Sequence, residues 1–385
     1  LSHCLTVPLS HCLTIPLPYC PLSTEASKMK EFIVEPIGIG ILGGGGIAAE
    51  GHICGYNLDP RCRVVALWDV DAQKAQEQAN RLGISSATIC TSLDEFLGRP
   101  DMAAVSICTP DHLHGDHAEA VLRAGKHVLI EKPMTTTRAD AARLVQTVRA
   151  TGLVALVGQI VHFHADYRAM VDAYRAGDFG EVWLVESDYI SDMRRYYGPT
   201  GATPWRSAAT APQDILLGGG CHSMGLLMWA MQTRAAQVFA YANDKAEPLL
   251  PNNDCYLVSI RFENGVIGKL IAAAGNRGSA PTGGRLVMYG TEGTLWGGRL
   301  YRNDPVTHRS AVVRDFHEEF RPQPRVQGTR QVQHWAEQCS HFLDCIEGKA
   351  EPLTSVVDGA RIVAALCAAI ASATSGQPVD VDNEF

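Results

Sequence analysis

The chain has 385 residues, a net charge of −8 and 19% charged residues, long enough for two separately cored domains. The acidic balance, with nothing more basic than Arg194-Arg195, argues against nucleic acid and anionic membrane as partners. The 12 cysteines form no Cys-x-x-Cys pair, several (Cys90, Cys108, Cys367) sit in apolar runs, and no uninterrupted apolar stretch of a bilayer's length occurs, so a reducing cytoplasm is expected.

Residues 1–32 read as an irregular extension. Ser2–Leu9 is repeated almost unchanged at Ser10–Leu17, and its prolines break any helix or strand. His3-Cys4, His11-Cys12 and Cys20 resemble metal ligands in spacing, but an appended tail is the simpler reading, with Met29 as a natural start and no metal. Residues 33–157 are expected to form one domain and residues 158–385 a second.

Ile37–Leu42 is a short apolar run and reads as a buried strand. It passes into Gly43-Gly44-Gly45-Gly46 and then a segment that can begin a helix near Ile47. Gly43-x-Gly45-x-x-Ala48 fits the dinucleotide-binding form, in which the backbone approaches a pyrophosphate and the helix start offers unpaired N–H groups. Arg63–Trp68 reads as the next strand and ends at Asp69, where a carboxylate can accept both adenosine ribose hydroxyls. Asp69 could instead cap the following helix, a role Asp71 could fill equally well. With no Arg or Lys directly after Asp69, NAD is favoured over NADP.

Strand and helix then alternate. Met102–Cys108, Lys126–Ile130 and Leu153–Gly158 read as strands, and His114–Arg123 and Thr137–Arg149 as helices, which implies a doubly wound parallel sheet of the Rossmann kind. Gly43, Asp69, Thr109 and Lys132 all fall at carboxyl ends of strands, where such sheets bind ligands. Beyond residue 158 the pattern becomes β-rich: Val182–Ile190, Asp254–Phe262, Val266–Ala274, Arg285–Tyr289 and Thr294–Trp296. Helices are expected at His222–Met231, Val332–Glu347 and Ser355–Thr374. The second domain therefore reads as α+β on a large, mostly antiparallel, open-faced sheet, with the site in the cleft between domains.

The sequence resembles the glucose–fructose oxidoreductase/inositol dehydrogenase (Gfo/Idh/MocA) family over residues 33–383. The resemblance rests on I-G-I-L-G-G-G-G-I-A (39–48), V-V-A-L-W-D-V-D (64–71), T-P-D-H-L-H (109–114) and, most specifically, A-G-K-H-V-L-I-E-K-P (124–133). It implies reversible hydride transfer between NAD and a secondary hydroxyl of a sugar, glycoside or cyclitol, in a homodimer or homotetramer joined through the second domain's sheet. It also implies that Gly43, Gly45, Gly46, Ile47, Asp69, Thr109, Pro110, His114, Glu131, Lys132 and Pro133 hold the cofactor. Lys132 matches the lysine that touches both substrate and cofactor, and a positively charged nicotinamide beside it is expected to lower its pKa. For His114 a capping or core role competes with cofactor contact.

His222 matches the family's catalytic histidine, but Gly218 and Gly225 stand where Asp residues are usual. Asp188, Asp192 and Asp214 are candidate replacements, or His222 acts alone. Tyr189, Arg194, Tyr197 and Trp205 interleave aromatics with cations as a carbohydrate site does, and are candidate substrate contacts with Lys132 and His222. His162 and His164 read as structural. The altered Asp/His motif keeps two other functions in play. One is an NAD-bound enzyme that oxidises a sugar transiently to eliminate a glycosidic group; the other is a non-enzymatic NAD-binding regulator or partner subunit.

Overall fold

The computed structural model describes residues 35–208, 210, 213–277, 283–320 and 332–385. The extension read at 1–32, with its His-Cys pairs, lies outside the described residues.

Six parallel strands form the first sheet: β1 Ile37–Leu42, β2 Cys62–Trp68, β3 Thr88–Ile89, β4 Ala104–Ile107, β5 His127–Glu131 and β6 Ala155–Gly158. Their order is β3-β2-β1-β4-β5-β6, so the chain reverses direction across the sheet between β1 and β4. That switch point is where open α/β sheets leave a crevice for a ligand. The strands are continuous apolar runs because helices cover both faces: Ile39 and Ile41 pack in one core, Leu42, Val105 and Ile107 in another. These helices include α1 Ala72–Arg81, α2 His114–Arg123 and α3 Arg138–Thr151. Thr137 caps α3 by accepting from Asp140 N–H, and Gly152 closes it at φ 65°.

After α4 Ala165–Arg175 comes the second sheet. Its strands are β7 Val182–Ile190, β8 Ala235–Asn243, β9 Cys255–Phe262, β10 Ile267–Ala273, β11 Gly283–Gly290, β12 Thr294–Trp296, β13 Arg299–Asn303, β14 Ser310–Asp315 and β15 Val379–Asp380. The order is β14-β13-β12-β11-β7-β10-β9-β8-β15, and β7 with β10 is its parallel pair. Along β9, buried and exposed residues alternate, so one face packs on helices and the other lies open. Helix α5 Gly220–Met231 lies on the covered face, almost wholly buried.

Two late helices, α6 Val332–Ile346 and α7 Val356–Ser375, depart from the expected partition. Cys339, Phe342 and Leu343 of α6 join the core of Ile39 and Ile41, so this helix packs with the first sheet. Helix α7 is shared: Val356, Ala360 and Val363 face the first domain's core, and Ile362, Ala365 and Leu366 the second's. At 20 residues it is long and apolar enough by composition to cross a membrane, which a search for uninterrupted runs misses because of Asp358 and Arg361. Its apolar residues are here spent on two cores.

Candidate active site

The glycine turn is shaped by close approach on one side and open space on the other. Gly43 has φ 99°, and a Cβ there would lie 2.8 Å from Cys108 O, so only glycine fits. Gly44 N–H donates to Asp69 Oδ2 at 2.7 Å. At Gly45 and Gly46 a Cβ would meet nothing within 4 Å among the described residues. That uncovered backbone, with half-exposed Ile47 beside it, is a cradle of the kind a pyrophosphate fills. Asp71, not Asp69, caps α1 by accepting from Lys74 N–H. Asp69 is left to tie Gly44 and Asp71 N–H together at the carboxyl end of β2.

Beyond β4 and β5 two loops meet. His114 is 1% exposed, with Nδ1 2.7 Å from Pro133 O and Nε2 2.9 Å from Thr109 O. Both ring nitrogens are committed to backbone carbonyls, so His114 braces the Thr109-Pro110 turn against the cis Lys132–Pro133 peptide rather than reaching a ligand. Glu131 also turns inward. Its Oε1 is 3.0 Å from His52 Nε2, and His52 Nδ1 is 3.1 Å from Ser106 Oγ, which meets Tyr56 O–H at 2.7 Å. This buried strut supports β5 from behind, and its carboxylate is 4% exposed. The side chains of His114 and Glu131, both expected at the cofactor, support the loops that carry Thr109 and Lys132. The strut escapes sequence reading because His52 and Glu131 are 79 residues apart.

Lys132 crosses to the second domain, where its Nζ donates to Gly218 O at 3.1 Å. Burial pushes the ammonium's pKa down, but Cys221, Glu131 and Asp111 raise it further and the net direction is upward. Burial lifts the Cys221 thiol to about 12, so at neutral pH the two carboxylates are the effective anions. The protein's own groups thus hold Lys132 as a cation, opposite to the lowering expected from a neighbouring nicotinamide.

His222 sits four residues after Gly218, at the start of α5. Its Nδ1 is 3.2 Å from Gln159 Oε1, while Gln159 Nε2 donates to Cys221 O at 3.2 Å. Because that carbonyl only accepts, the amide presents oxygen to His222, which fixes the Nδ1–H tautomer and leaves Nε2 as a proton acceptor. Burial, then the Lys132 cation and the neighbouring His164 and His162, push the His222 pKa well below its ordinary value. The Tyr189 ring stacks on it at 5.9 Å.

None of the three expected aspartates orients His222. Asp188 pairs with Arg285 at 2.9 Å, Asp192 with Arg194, and Asp214 accepts from Leu216 N–H and Tyr256 O–H. The orienting group is Gln159, 63 residues away in sequence. Gly225 makes room for it: a Cβ there would lie 3.4 Å from Gln159 Cδ and 3.1 Å from Ile362 Cδ1.

The substrate candidates separate. Trp205 lines a cavity of about 310 Å³ with Asp111, His112, Thr136, Gln213, Asp214 and Leu217. Tyr189 lies against His222. Arg194 instead borders a separate surface groove with Asp192 and Arg195, and Tyr197 is 2% exposed inside the second domain's core. Their aromatic–cation pattern does not distinguish a wall residue from a core residue. Asp111, His112 and Gln213 went unread as cavity residues, although Asp111 and His112 lie inside the T-P-D-H-L-H motif.

The other histidines pack behind His222. His162 Nδ1 is 2.8 Å from Thr354 Oγ1 and its ring stacks on Trp229; His164 stacks on His334 at 3.9 Å. Burial pushes His162 down to about 3 and His164, beside His334, to about 4. Since an unfolded histidine titrates near 6.5, the unfolded chain takes up these protons first as pH falls. The stability these residues contribute is complete above about pH 6.5 and is lost as pH falls through 6.5 towards 4 and 3. Urea midpoints should fall steeply between pH 6.5 and 4.5, and His162→Gln with His164→Gln should flatten that slope; an unchanged slope in the double variant contradicts the assignment.

Both halves of the chain match known proteins. A profile described as an oxidoreductase family with an NAD-binding Rossmann fold matches residues 37–159, and the C-terminal alpha/beta domain of the same family matches residues 172–381. The 1,5-anhydro-D-fructose reductase of Ensifer adhaerens is 26% identical over 89% of this chain and 98% of its own length. The scyllo-inositol 2-dehydrogenase (NAD(+)) of Bacillus subtilis (strain 168) is 25% identical over 84% of this chain and 90% of its own. Among solved structures, an oxidoreductase from Agrobacterium radiobacter in complex with NAD+, L-tartaric acid and magnesium shares the fold, with TM-score 0.77 and 17% identity over 90% of this chain and 98% of its own.

Proposed function

The chain belongs to the Gfo/Idh/MocA family of oxidoreductases, and on that premise we propose that it is an NAD-dependent dehydrogenase acting on a secondary hydroxyl of a sugar, glycoside or cyclitol. The observation that carries the reading is the meeting of Lys132 with the Gly218–His222 segment: a cation held on one domain reaches the carbonyl of Gly218, just before the neutral imidazole's helix on the other. The named activities of the Ensifer and Bacillus relatives, on an anhydrosugar and an inositol, support the substrate class.

Gly43 to Ile47 would hold the pyrophosphate, Asp69 the adenosine ribose, and Thr109, Pro110 and Pro133 the nicotinamide side. When bound, the cofactor supplies the hydride acceptor or donor. Lys132 donates a hydrogen bond to the substrate oxygen and favours its alkoxide character. His222 Nε2 accepts the hydroxyl proton in oxidation and returns it in reduction. Gln159 keeps that nitrogen unprotonated and aimed, as an aspartate does elsewhere in the family, but adds no charge.

The Asp69 carboxylate supports NAD over NADP, since it would repel a 2′-phosphate. Asp69→Ala should weaken both cofactors through loss of the Gly44 tether, and NAD far more than NADP; equal losses in dissociation constant would overturn the preference.

A homodimer or homotetramer through the open face of the second sheet completes the proposal. Cross-strand register puts Tyr241 opposite Leu257 there, on the face that also carries Ile267, and the three are 67%, 44% and 52% exposed. Light scattering should show an oligomer that Leu257→Glu with Ile267→Glu reduces to monomer; a monomeric wild type contradicts this.

A further inference from the structure

We infer that Gln213 is a specificity residue of this site, taking the place of a side chain at residue 218 and restricting the substrate to polyhydroxylated rings that carry no acidic group. The inference rests on the dehydrogenase reading above. A Cβ on Gly218 would lie 2.2 Å from Gln213 Nε2 and 2.3 Å from its Cδ, so the Gln213 amide already fills that volume. The same glycine's carbonyl receives Lys132 Nζ, which places the amide at the reacting end of the cleft.

The amide's orientation is fixed by its partner. Nε2 donates to Asp111 Oδ2, and a carboxylate can only accept, so Oε1 points away from Asp111. Gln213 is 4% exposed, and its Oε1 is a buried atom with no hydrogen-bond partner among the described residues. A buried carbonyl without a donor is costly, and a ligand O–H or N–H would satisfy it. The backbone holds the residue firmly, with Gln213 N–H donating to Arg206 O at 2.8 Å.

The cavity that Gln213 lines has the charge of a donor-seeking site. Asp111 and Asp214 are in its wall, and no Arg or Lys is among its described lining residues. Arg206 is turned aside: its guanidinium stacks on Trp205 and Tyr196 at 4.7 and 5.9 Å, and its Nε donates to Thr203 Oγ1. On this wall, away from the Lys132 ammonium, hydroxyl and ammonium groups therefore meet acceptors, while a carboxylate or phosphate meets two carboxylates and a carbonyl. Trp205 offers an indole to the ring's C–H face, and the volume of about 310 Å³ is that of a small-ligand pocket.

The test uses the whole enzyme with NADH or NAD and five probes: D-glucose, myo-inositol, D-glucosamine, D-glucuronate and D-glucose 6-phosphate. At least one of the first three should bind the enzyme–NADH complex, and turn over with NAD, about tenfold or more better than both acidic rings. Gln213→Met should lower binding of the preferred ring about tenfold and shrink its advantage, with the NADH dissociation constant unchanged. Asp111→Asn, a second variant should the first misfold, should likewise raise the relative acceptance of the acidic rings. Equal or better use of the acidic rings by wild type, an unchanged ratio in the variants, or binding of none of the five while NADH binds normally overturns the inference. Failure of wild type to bind NADH overturns the dehydrogenase reading instead.

Discussion

Lys132→Ala is expected to lower kcat/KM by about 10²–10³-fold, the loss seen when one preorganised donor to a developing oxyanion is removed. The NADH dissociation constant should stay within about threefold, because the glycine cradle and Asp69 are built on β1 and β2, away from Lys132. The size of the effect follows from the ammonium's placement. The Glu131 and Asp111 carboxylates hold it charged against the cost of burial, and it reaches Gly218 O from the far domain. Steady-state kinetics with fluorescence titration of NADH separate the two terms. A variant that keeps a tenth or more of the wild-type rate removes Lys132 from the chemistry.

His222→Ala should cost about 10²–10⁴-fold in kcat, the usual worth of a positioned proton acceptor. The pH profile carries more information than the rate alone. Burial and the Lys132 cation hold the imidazole well below its ordinary pKa. Oxidation by wild type should therefore show no loss of kcat/KM on passing downward through pH 6.5, where an unperturbed histidine acid would protonate. Gln159→Leu removes the acceptor at Nδ1 and frees the other tautomer, so it should lower kcat without changing NADH affinity. A wild-type acidic limb centred near 6.5, or a near-normal rate in His222→Ala, contradicts the assignment.

What could be read in the sequence was local or periodic. The apolar run of β1, the glycines behind it and Asp69 closing β2 form one continuous signal, because a strand buried on both faces has no polar residues to blur it. Lys132 stood out because it follows directly on such a strand. The α+β character of the second domain was visible in the alternation of β9 and β10. Four of that domain's strands were not: β8 is rich in alanine, β13 and β14 carry arginines at one end of the sheet, and β15 is two residues long, so neither propensity nor apolar alternation marks them.

The site's supports were less legible for a different reason. Gln159 touches His222, Glu131 touches His52 and Gln213 touches Asp111 across separations of 63, 79 and 102 residues. No spacing rule links such pairs. Their meeting depends on how β5, β6 and α5 pack, and the missing aspartates at Gly218 and Gly225 gave only a negative hint. Once the backbone is in place the two glycines acquire a meaning, because each opens room for a glutamine amide.

The most direct test of hydride transfer is absorbance at 340 nm when the purified protein is mixed with NAD and a panel of sugars, glycosides and cyclitols. The dehydrogenase account predicts steady NADH accumulation with at least one neutral ring, matched mole for mole by ketone. Turnover of a glycoside with no net NADH, or NAD binding with no chemistry on any ring, would contradict it.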